Sequence, residues 1–301
     1  MAYTISEIAN RLQQELTAQI EKSGLMFRLF WRVKTMDSIR HKMRIKGESY
    51  RSGTTKMQDI IGLRIVVYFP DDVEVLSTFF GCGDVVKQSI DTPDSSTFMP
   101  QRLNITRSLP SDYIADFSAA LPEEFAAYID ATYEIQIRTI FSEGWHEVEH
   151  DLRYKCKEDW ADYLPFSRTL NGVIATLETA EWSMTSLFQA MAHENLNRGN
   201  FTAMLRNKMR IRLKSEDLTA VMKKHLSEHP ATARALLDCD RMVVLLTLII
   251  HHQKLELTFD NLVFLMNRIE VNDEELGKLE PKDTAATLNS LLIIEEGADN
   301  R

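Results

Sequence analysis

Residues 132–155 read TYEIQIRTIFSEGWHEVEHDLRYK and carry the strongest structural pattern in the chain. The first eight residues alternate, so one face of a strand would carry Glu134, Gln136 and Arg138 and the other face only apolar side chains. From Ile140 the apolar residues recur at helical spacing. A carboxylate, an amide and a guanidinium are costly to bury without polar partners. We therefore predict a strand that runs into a helix, with the polar strand face as the floor of a site.

Further strands are predicted on the N-terminal side of this stretch. Residues 61–69 are apolar almost without interruption and rich in β-branched side chains, as in a strand buried inside a sheet. Residues 83–90 and 102–109 have the patterns of two more strands, and residues 73–80 have that of a helix. Together these elements predict a mixed α/β (α+β) sheet with flanking helices.

The sequence RVKTMDSIRHKM, residues 32–43, predicts a cationic cluster. In a helix Lys34, Ser38 and Lys42 would lie four residues apart on one face. Two ammonium groups and a hydroxyl would then point toward one place. The polar residues 47–55 that follow predict a loop.

After residue 160 the character of the chain changes to helical periodicity. Apolar residues at helical spacing predict one long helix over residues 170–191 and several shorter ones. The shorter helical patterns cover residues 218–226, 231–254, 259–269 and 284–292. We therefore predict two domains, an α/β domain over residues 1–160 and an α-helical domain over residues 161–301 with a regulatory or oligomerising role.

Composition limits the class of protein. The chain has 301 residues, of which 44% are hydrophobic, enough for two ordinary cores. Its three cysteines are far apart in sequence and in no metal-like pair, which favours a reducing compartment. The longest apolar run, residues 242–250, is shorter than the roughly twenty residues of a membrane span. These features predict a cytoplasmic protein that does not span a membrane.

Basic residues are concentrated in one segment, although the chain as a whole has a net charge of −9. Residues 28–56 contain nine Lys or Arg residues against only Asp37 and Glu48. A compact basic block in an acidic protein favours a small polyanion such as a nucleotide over a long nucleic acid. The alternative is a solvated helix face without a ligand.

At these residues the chain resembles a known family. RVK-x3-S-x3-K, then DIIGLR, then YEIQIRT with a helix ending in EH-x3-YK, is similar to the synthetase domain of the RelA/SpoT family, including its small alarmone synthetases and their toxic relatives. The resemblance covers about residues 1–157. It implies a nucleotidyltransferase-like sheet and an ATP-dependent pyrophosphokinase. In this family Mg²⁺-bound ATP gives its β,γ-pyrophosphoryl group to the 3′-hydroxyl of GDP or GTP, which makes (p)ppGpp and releases AMP.

The resemblance also implies roles for residues on the donor side. Arg32 matches the arginine that stacks on the adenine of ATP. Lys34, Ser38 and Lys42 match the group that holds the donor phosphates. Asp59 of DIIGLR matches the magnesium-binding aspartate.

On the acceptor side, Glu134 of EIQIRT matches the glutamate that helps to hold the metal and activates the acceptor hydroxyl. Arg64, Gln136, Arg138 and His150 match further nucleotide-binding positions. The expected partners are therefore an ATP donor and a guanosine nucleotide acceptor, and we also expect homo-oligomers through the C-terminal helices.

One segment departs from the family pattern. The family has G-Y-x-S-x-H before the EIQIRT strand, with a tyrosine that stacks on guanine, whereas this chain reads FMPQRLNITRSLP over residues 98–110. Arg102 and Asn104 stand where the tyrosine and histidine would be sought. An altered acceptor pocket is compatible with toxic relatives that modify the 3′ end of tRNA, which is the alternative function.

Two other hypotheses remain open at this point. His146, Glu147 and His150 form H-E-x-x-H on a predicted helix, the pattern of zinc metalloproteases, with Glu178 or Glu181 as the third ligand. The second hypothesis is a catalytically silent module in which the helical domain does the work.

Overall fold

The computed structural model describes residues 3–51, 55–91, 102–251 and 254–292. The predicted mixed α/β architecture is confirmed. The described residues contain a five-stranded sheet with the order β1-β2-β5-β4-β3. Its strands are β1 (Phe27–Val33), β2 (Ile61–Val67), β3 (Val85–Asp91), β4 (Arg102–Ser108) and β5 (Thr132–Thr139).

The two strands with the strongest sequence patterns lie together at the centre of the sheet. β2 and β5 run parallel, with Gly62 opposite Glu134 and Arg64 opposite Gln136. The other neighbouring pairs are antiparallel. Because the register is fixed, the polar residues of β2 and β5 fall on the same face of the sheet.

The other face of the sheet belongs to the core. Ile61, Leu63 and Ile65 of β2 are fully buried, as are Ile135 and Ile137 of β5. Burying five large aliphatic side chains stabilises the fold by roughly 1.5–3 kcal/mol each. A one-residue slip of β5 would move this apolar set to the polar face, so packing specifies the register.

Helices precede and follow the strands. The helices up to residue 160 are α1 (Ile5–Ile20), α2 (Met36–Arg51), α3 (Pro70–Phe80), α4 (Ser111–Ala120), α5 (Glu123–Ala126), α6 (Ile140–Glu149) and α7 (Lys157–Trp160). A wider turn of π type, His150–Tyr154, continues α6. The predicted loop over residues 47–55 is wrong in its first part, since α2 continues to Arg51.

The transition from β5 to α6 follows the sequence prediction. Thr139 is in extended conformation, and its hydroxyl accepts a hydrogen bond from the backbone N–H of Ser142, which caps the helix. Trp145 is buried and its indole N–H donates to the carbonyl oxygen of Leu170 at 3.0 Å. The apolar face predicted for this helix ends early, however, because Val148 and Leu152 are exposed.

The helices after residue 160 form the remainder of the described chain. They are α8 (Leu164–Asn197), α9 (Phe201–Met209), α10 (Ala220–Glu228), α11 (Pro230–Asp238), α12 (Arg241–Ile250), α13 (Phe259–Met266), α14 (Glu274–Gly277) and α15 (Lys282–Leu292). The pattern over residues 231–254 is thus two helices rather than one. Within the described ranges, no helix combines the length and the hydropathy needed to cross a bilayer.

The chain divides into two compact units. One contains Met1–Thr17 and Phe27–Thr179, and the other contains Ala18–Met26 and Ala180–Arg301. The predicted boundary after residue 160 falls inside the first unit, because α8 begins there and is continuous past residue 179. The regulatory or oligomerising role of the helical part stays a prediction.

Candidate active site

The polar face of the sheet is formed by neighbouring residues of four strands. Arg32 of β1 lies opposite Gly62 of β2, and Gly62 lies opposite Glu134 of β5. One row further along, Arg64 lies opposite Gln136, and Gln136 opposite Asn104. A Cβ atom on Gly62 would come within 3.3 Å of Nε of Arg32, so the bare glycine leaves room for the Arg32 side chain to lie over β2.

Two lysines converge on Asp59 just before β2. Nζ of Lys42 donates to Oδ1 and Oδ2 of Asp59 at 2.9 and 2.8 Å, and Nζ of Lys34 donates to Oδ2 at 2.5 Å. Burial works against ionisation of Asp59, but the hydrogen bonds from the two lysines outweigh it and lower the pKa of the carboxyl group. Asp59 is therefore an anion that fixes two cations in place.

The pKa values of the two lysines shift in opposite directions. Burial lowers the pKa of Lys34 in spite of its bond to Asp59. For Lys42 burial acts in the same direction, but Asp59 outweighs it and the pKa is raised. The predicted convergence of Lys34 and Lys42 is present, although Lys34 precedes α2 rather than lying in it. Ser38, the third predicted member, has its hydroxyl 2.9 Å from that of Thr35.

A second network joins the polar residues of β2 and β5. Nε2 of Gln136 donates to Oε2 of Glu134 at 2.8 Å, and Oε1 of Gln136 accepts from Arg64 and Arg138 at 3.4 Å each. Glu143 then bridges the two arginines, with Arg64 at 2.6 Å and Arg138 at 3.0 Å. The face thus holds a carboxylate, an amide and two guanidinium groups with defined partners.

An open cavity of about 500 Å³ lies over this face. The sheet supplies Arg32, Arg64, Gln136 and Arg138 to its lining, together with Asn104. The predicted binding residues of the sheet therefore share one cavity.

A neighbouring cavity of about 760 Å³ is lined by Lys34, Ser38 and Lys42. His150 and Tyr154 line both cavities, and their rings stack with centroids 5.6 Å apart. His150 is also paired with Asp151, since its Nδ1 is 2.9 Å from Oδ1 of that residue. The predicted donor-phosphate group and the predicted strand-face group thus meet at His150.

The two predicted catalytic carboxylates do not line either cavity themselves. Asp59 reaches the second cavity through Lys34 and Lys42, and Glu134 reaches the first through Gln136. The side chain of Asp59 is partly exposed, and Glu134 is half-buried. Each carboxylate is therefore one hydrogen bond away from a cavity wall.

The comparison with known families is consistent with this arrangement. The family model described as "Region found in RelA / SpoT proteins" matches residues 31–159. These residues are therefore similar to the RelA/SpoT domain. The resemblance predicted for residues 1–157 is confirmed over that range, which contains all ten predicted site residues.

The chain is also similar to an individual protein. The chain is 32% identical over 126 residues to the GTP pyrophosphokinase YjbM of Bacillus subtilis (strain 168), a stretch that covers 41% of this chain and 54% of that protein. The chain thus spans about half the length of this curated relative.

Two solved structures are similar to the chain. Small alarmone synthetase 1 from Bacillus subtilis is 22% identical with a TM-score of 0.43, over 60% of this chain and 92% of that one. A GTP pyrophosphokinase family protein from Streptococcus pneumoniae is 21% identical with a TM-score of 0.44, over 66% and 92%.

Asp59 and Glu134 are the residues that would hold the magnesium ion implied by the family resemblance. Mg²⁺ usually takes one or two carboxylates and completes its shell with phosphate oxygens and water. Asp59 ends the segment that enters β2, and Glu134 lies on the adjacent parallel strand β5. Both oxygens of Asp59 accept hydrogen bonds from lysines and Glu134 accepts one from Gln136, so a magnesium ion shared by the two carboxylates stays a prediction.

The zinc hypothesis gains no support from the positions of His146, Glu147 and His150. Glu147, its predicted base, forms an ion pair with Arg64. His146 and His150 have ring centroids 6.0 Å apart. Among the described residues, no group of three or more His, Cys, Asp or Glu side chains is arranged to hold a metal.

Sequence reasoning missed Glu143, which neutralises two of the predicted binding arginines. Replacing Glu143 by glutamine is expected to lower the free energy of unfolding by about 1–3 kcal/mol, because Arg64 and Arg138 lose their shared anion. The Glu143 side chain is only 14% exposed, so water cannot readily hydrate the two arginines when the carboxylate is lost.

Glu147 provides the matched control. Its side chain is 53% exposed and forms an ion pair with Arg64, so Glu147→Gln should cost about 0–1 kcal/mol. Urea unfolding of both variants measures the difference. Equal losses would contradict the bridging role of Glu143.

Proposed function

We propose that the chain is an ATP-dependent pyrophosphokinase that transfers the β,γ-pyrophosphoryl group of ATP to the 3′-hydroxyl of GDP or GTP and so makes (p)ppGpp. The observation that carries the proposal is the pair Lys34 and Lys42 held on Asp59 beside a strand face with Glu134, Arg64 and Arg138, all within a RelA/SpoT domain. Its relative in Bacillus subtilis is a GTP pyrophosphokinase, which supports the same reaction.

The charges of the site suit this chemistry. Phosphoryl-type transfer requires neutralisation of phosphate charge and an in-line hydroxyl, and the protein contributes mainly position and electrostatics. Lys34 and Lys42 supply two fixed ammonium groups, and their anchorage on Asp59 reduces the reorganisation needed when phosphates bind. The side chain of Arg32 is exposed and lies over Gly62, so its guanidinium group can stack on a nucleotide base.

The proposed step is balanced by one proton transfer. The acceptor 3′-oxygen forms a bond to the β-phosphorus of ATP while the bond from that phosphorus to the oxygen of the α-phosphate breaks, and AMP leaves with that oxygen. Glu134 takes the proton of the hydroxyl, and Gln136 holds the carboxylate in position through its 2.8 Å hydrogen bond. Magnesium held by Asp59 and Glu134 would neutralise charge on the phosphates.

Transfer to the 3′ end of tRNA is the second candidate. The observation in its favour is Asn104, which lines the cavity beside Gln136 where the family has a different motif. Its Oδ1 atom is buried without a hydrogen-bond partner among the described residues, so it is available to a donor group on an acceptor. Residues 98–101 of the departing segment lie outside the part of the chain that the structure describes.

One incubation separates the candidates. The pure protein is mixed with ATP labelled in its γ-phosphate, magnesium and, in separate reactions, GDP, GTP, ATP or bulk tRNA. We expect label to move to GDP or GTP with release of AMP. Label in tRNA alone would select the second candidate, and label in none of the acceptors would contradict both.

Two further predictions stay open with the proposed function. The cytoplasm is the predicted location, in keeping with three cysteines that are all free. Self-association through the helices after residue 160 is the predicted assembly.

A further inference from the structure

An exposed phenylalanine lies on the polar face of the sheet, in the row next to Arg32. Phe30 is opposite Arg64 in the register of β1 and β2. It lies two residues before Arg32, so both side chains project from the same face of β1. Phe30 lines the first cavity and is 53% exposed. It precedes by one residue the range that matches the RelA/SpoT family model.

The ring of Phe30 is not part of the core of the sheet. The core residues Ile65 and Ile137 are fully buried on the other face, whereas Phe30 is on the cavity side of the edge strand. Within the part of the chain that the structure describes, no aromatic ring or cation stacks on it. An exposed aromatic side chain on an edge strand favours aggregation. A molecule bound in the cavity would cover the ring and remove this hazard.

The spacing of Phe30 and Arg32 suits a nucleobase. Neighbouring side chains on one face of a strand are two residues apart, which corresponds to about 6.6–6.8 Å. A flat ring stacked between two groups needs about 3.5 Å on each side. A phenyl ring and a guanidinium group both stack on aromatic faces. A base can therefore lie between these two side chains with both of its faces covered.

The same face of β1 leads from Phe30 toward the phosphate-binding lysines. Arg32 follows Phe30 after two residues, and Lys34 follows after two more. Lys34 is anchored on Asp59 and lines the second cavity. Glu134, which is proposed to take the proton of the acceptor, is two strands away from β1, about 9–10 Å. A base at Phe30 thus belongs to the nucleotide whose phosphates reach Lys34, which is the donor.

We propose that Phe30 and Arg32 form a slot for the adenine base of ATP, with the phenyl ring on one face of the base and the guanidinium group on the other. The inference rests on the proposed function for the identity of the donor, and it adds Phe30 to the nucleotide-binding residues. Stacking on an aromatic side chain contributes to binding through the face of the base. Loss of the ring should therefore weaken the hold on the base and leave the hold on the phosphates unchanged.

Calorimetric titration of the full chain separates the base from the phosphates. The probes are ATP and inorganic tripolyphosphate, each with magnesium, and the second has three phosphates without a base. Phe30→Ala is expected to raise the dissociation constant of ATP by about 5- to 100-fold, the usual effect of losing one aromatic stacking partner. The dissociation constant of tripolyphosphate should stay the same, which also shows that the variant is folded.

Three further variants separate the ring from other properties of the side chain. Phe30→Tyr keeps an aromatic ring and should keep the affinity for ATP. Phe30→Leu keeps an apolar side chain without a ring and should lose affinity as Phe30→Ala does. Phe166→Ala is the matched control, because Phe166 is 63% exposed on α8 and lines neither cavity. That variant should bind ATP as the unmodified chain does.

Four results would overturn the inference. They are an unmodified chain that does not bind ATP, full affinity for ATP in Phe30→Ala or Phe30→Leu, equal losses of ATP and tripolyphosphate in Phe30→Ala, and an equal loss in Phe166→Ala. None of these readouts depends on transfer. A chain that binds ATP through Phe30 but transfers nothing to any acceptor would contradict the proposed function and leave the slot in place.

Discussion

Glu134→Gln is expected to reduce the rate of pyrophosphoryl transfer by about 10²- to 10⁴-fold, the range typical of losing a general base. Glutamine keeps the size of the side chain and an oxygen that accepts the 2.8 Å hydrogen bond from Gln136. It loses the negative charge and the ability to take the proton of the acceptor hydroxyl. The variant should therefore fold normally and bind nucleotides while failing in the chemical step.

The initial rate of product formation from labelled ATP, measured over a range of ATP concentrations with acceptor and magnesium saturating, shows this loss. The expected signature is a loss in rate with little change in the concentration of ATP needed for half-maximal rate. Glu158→Gln, the same chemical change at an exposed position of α7, is the matched control and should leave the rate unchanged. A Glu134→Gln enzyme as fast as the unmodified one would remove Glu134 from the catalytic step.

The sheet could be predicted because its pattern is local. In β5 the alternation of Tyr133, Ile135 and Ile137 with polar residues reflects burial on one face, and each residue contributes to the signal. β2 is apolar because it lies inside the sheet, between β1 and β5. Both strands were therefore found within a residue or two of their ends.

The contacts that organise the site could not be predicted in the same way. Glu143 and Arg64 are 79 residues apart, and they meet because β2 lies beside β5 in one register. Periodicity places residues on faces, but it does not say which strands are neighbours. The family resemblance named Arg64 as a ligand-binding residue, yet it held no information on Glu143 as its partner.

The sequence prediction also missed helix ends where a capping residue interrupts a long apolar pattern. Residues 231–254 have helical spacing throughout, but the helix ends at Cys239, whose ψ of 143° is not helical. Asp240 then caps α12 by accepting a hydrogen bond from the backbone N–H of Met242. An aspartate before a new apolar run is a start signal that could have divided the pattern. In the opposite sense, Gly47 suggested a loop but lies within α2.

Asp59→Asn is expected to lower the transfer rate by about 10²- to 10³-fold, the usual loss when a group that organises transition-state charge is removed. Asparagine cannot neutralise Lys34 and Lys42, whose ammonium groups would then repel each other at one site. It also removes one of the two carboxylates proposed to hold magnesium. The defect should therefore appear both in the rate and in the magnesium concentration that the enzyme needs.

The same variant should be less stable by about 1–3 kcal/mol at neutral pH, because two partly buried cations lose their anion. The pKa of Asp59 is lower in the folded chain than in the unfolded one, so its contribution to stability is complete above the unfolded value of about 3.9. That contribution disappears as the pH falls through the lower, folded pKa. The stability curves of the unmodified chain and Asp59→Asn should accordingly converge in acid.

Asp37→Asn is the matched control, since Asp37 lies in α2, the helix that carries Lys42, but its side chain is 95% exposed and its ion pair with Arg40 is 3.4 Å long. Urea unfolding at neutral and acid pH should barely separate that variant from the unmodified chain. Lys42→Met provides the complementary test, because removing one of the two cations from the Asp59→Asn background should restore part of the lost stability. Restoration of stability would show that repulsion between the two lysines destabilises the Asp59→Asn variant. If Lys42→Met instead lowered the stability of Asp59→Asn further, repulsion between the lysines could not be the cause of its instability.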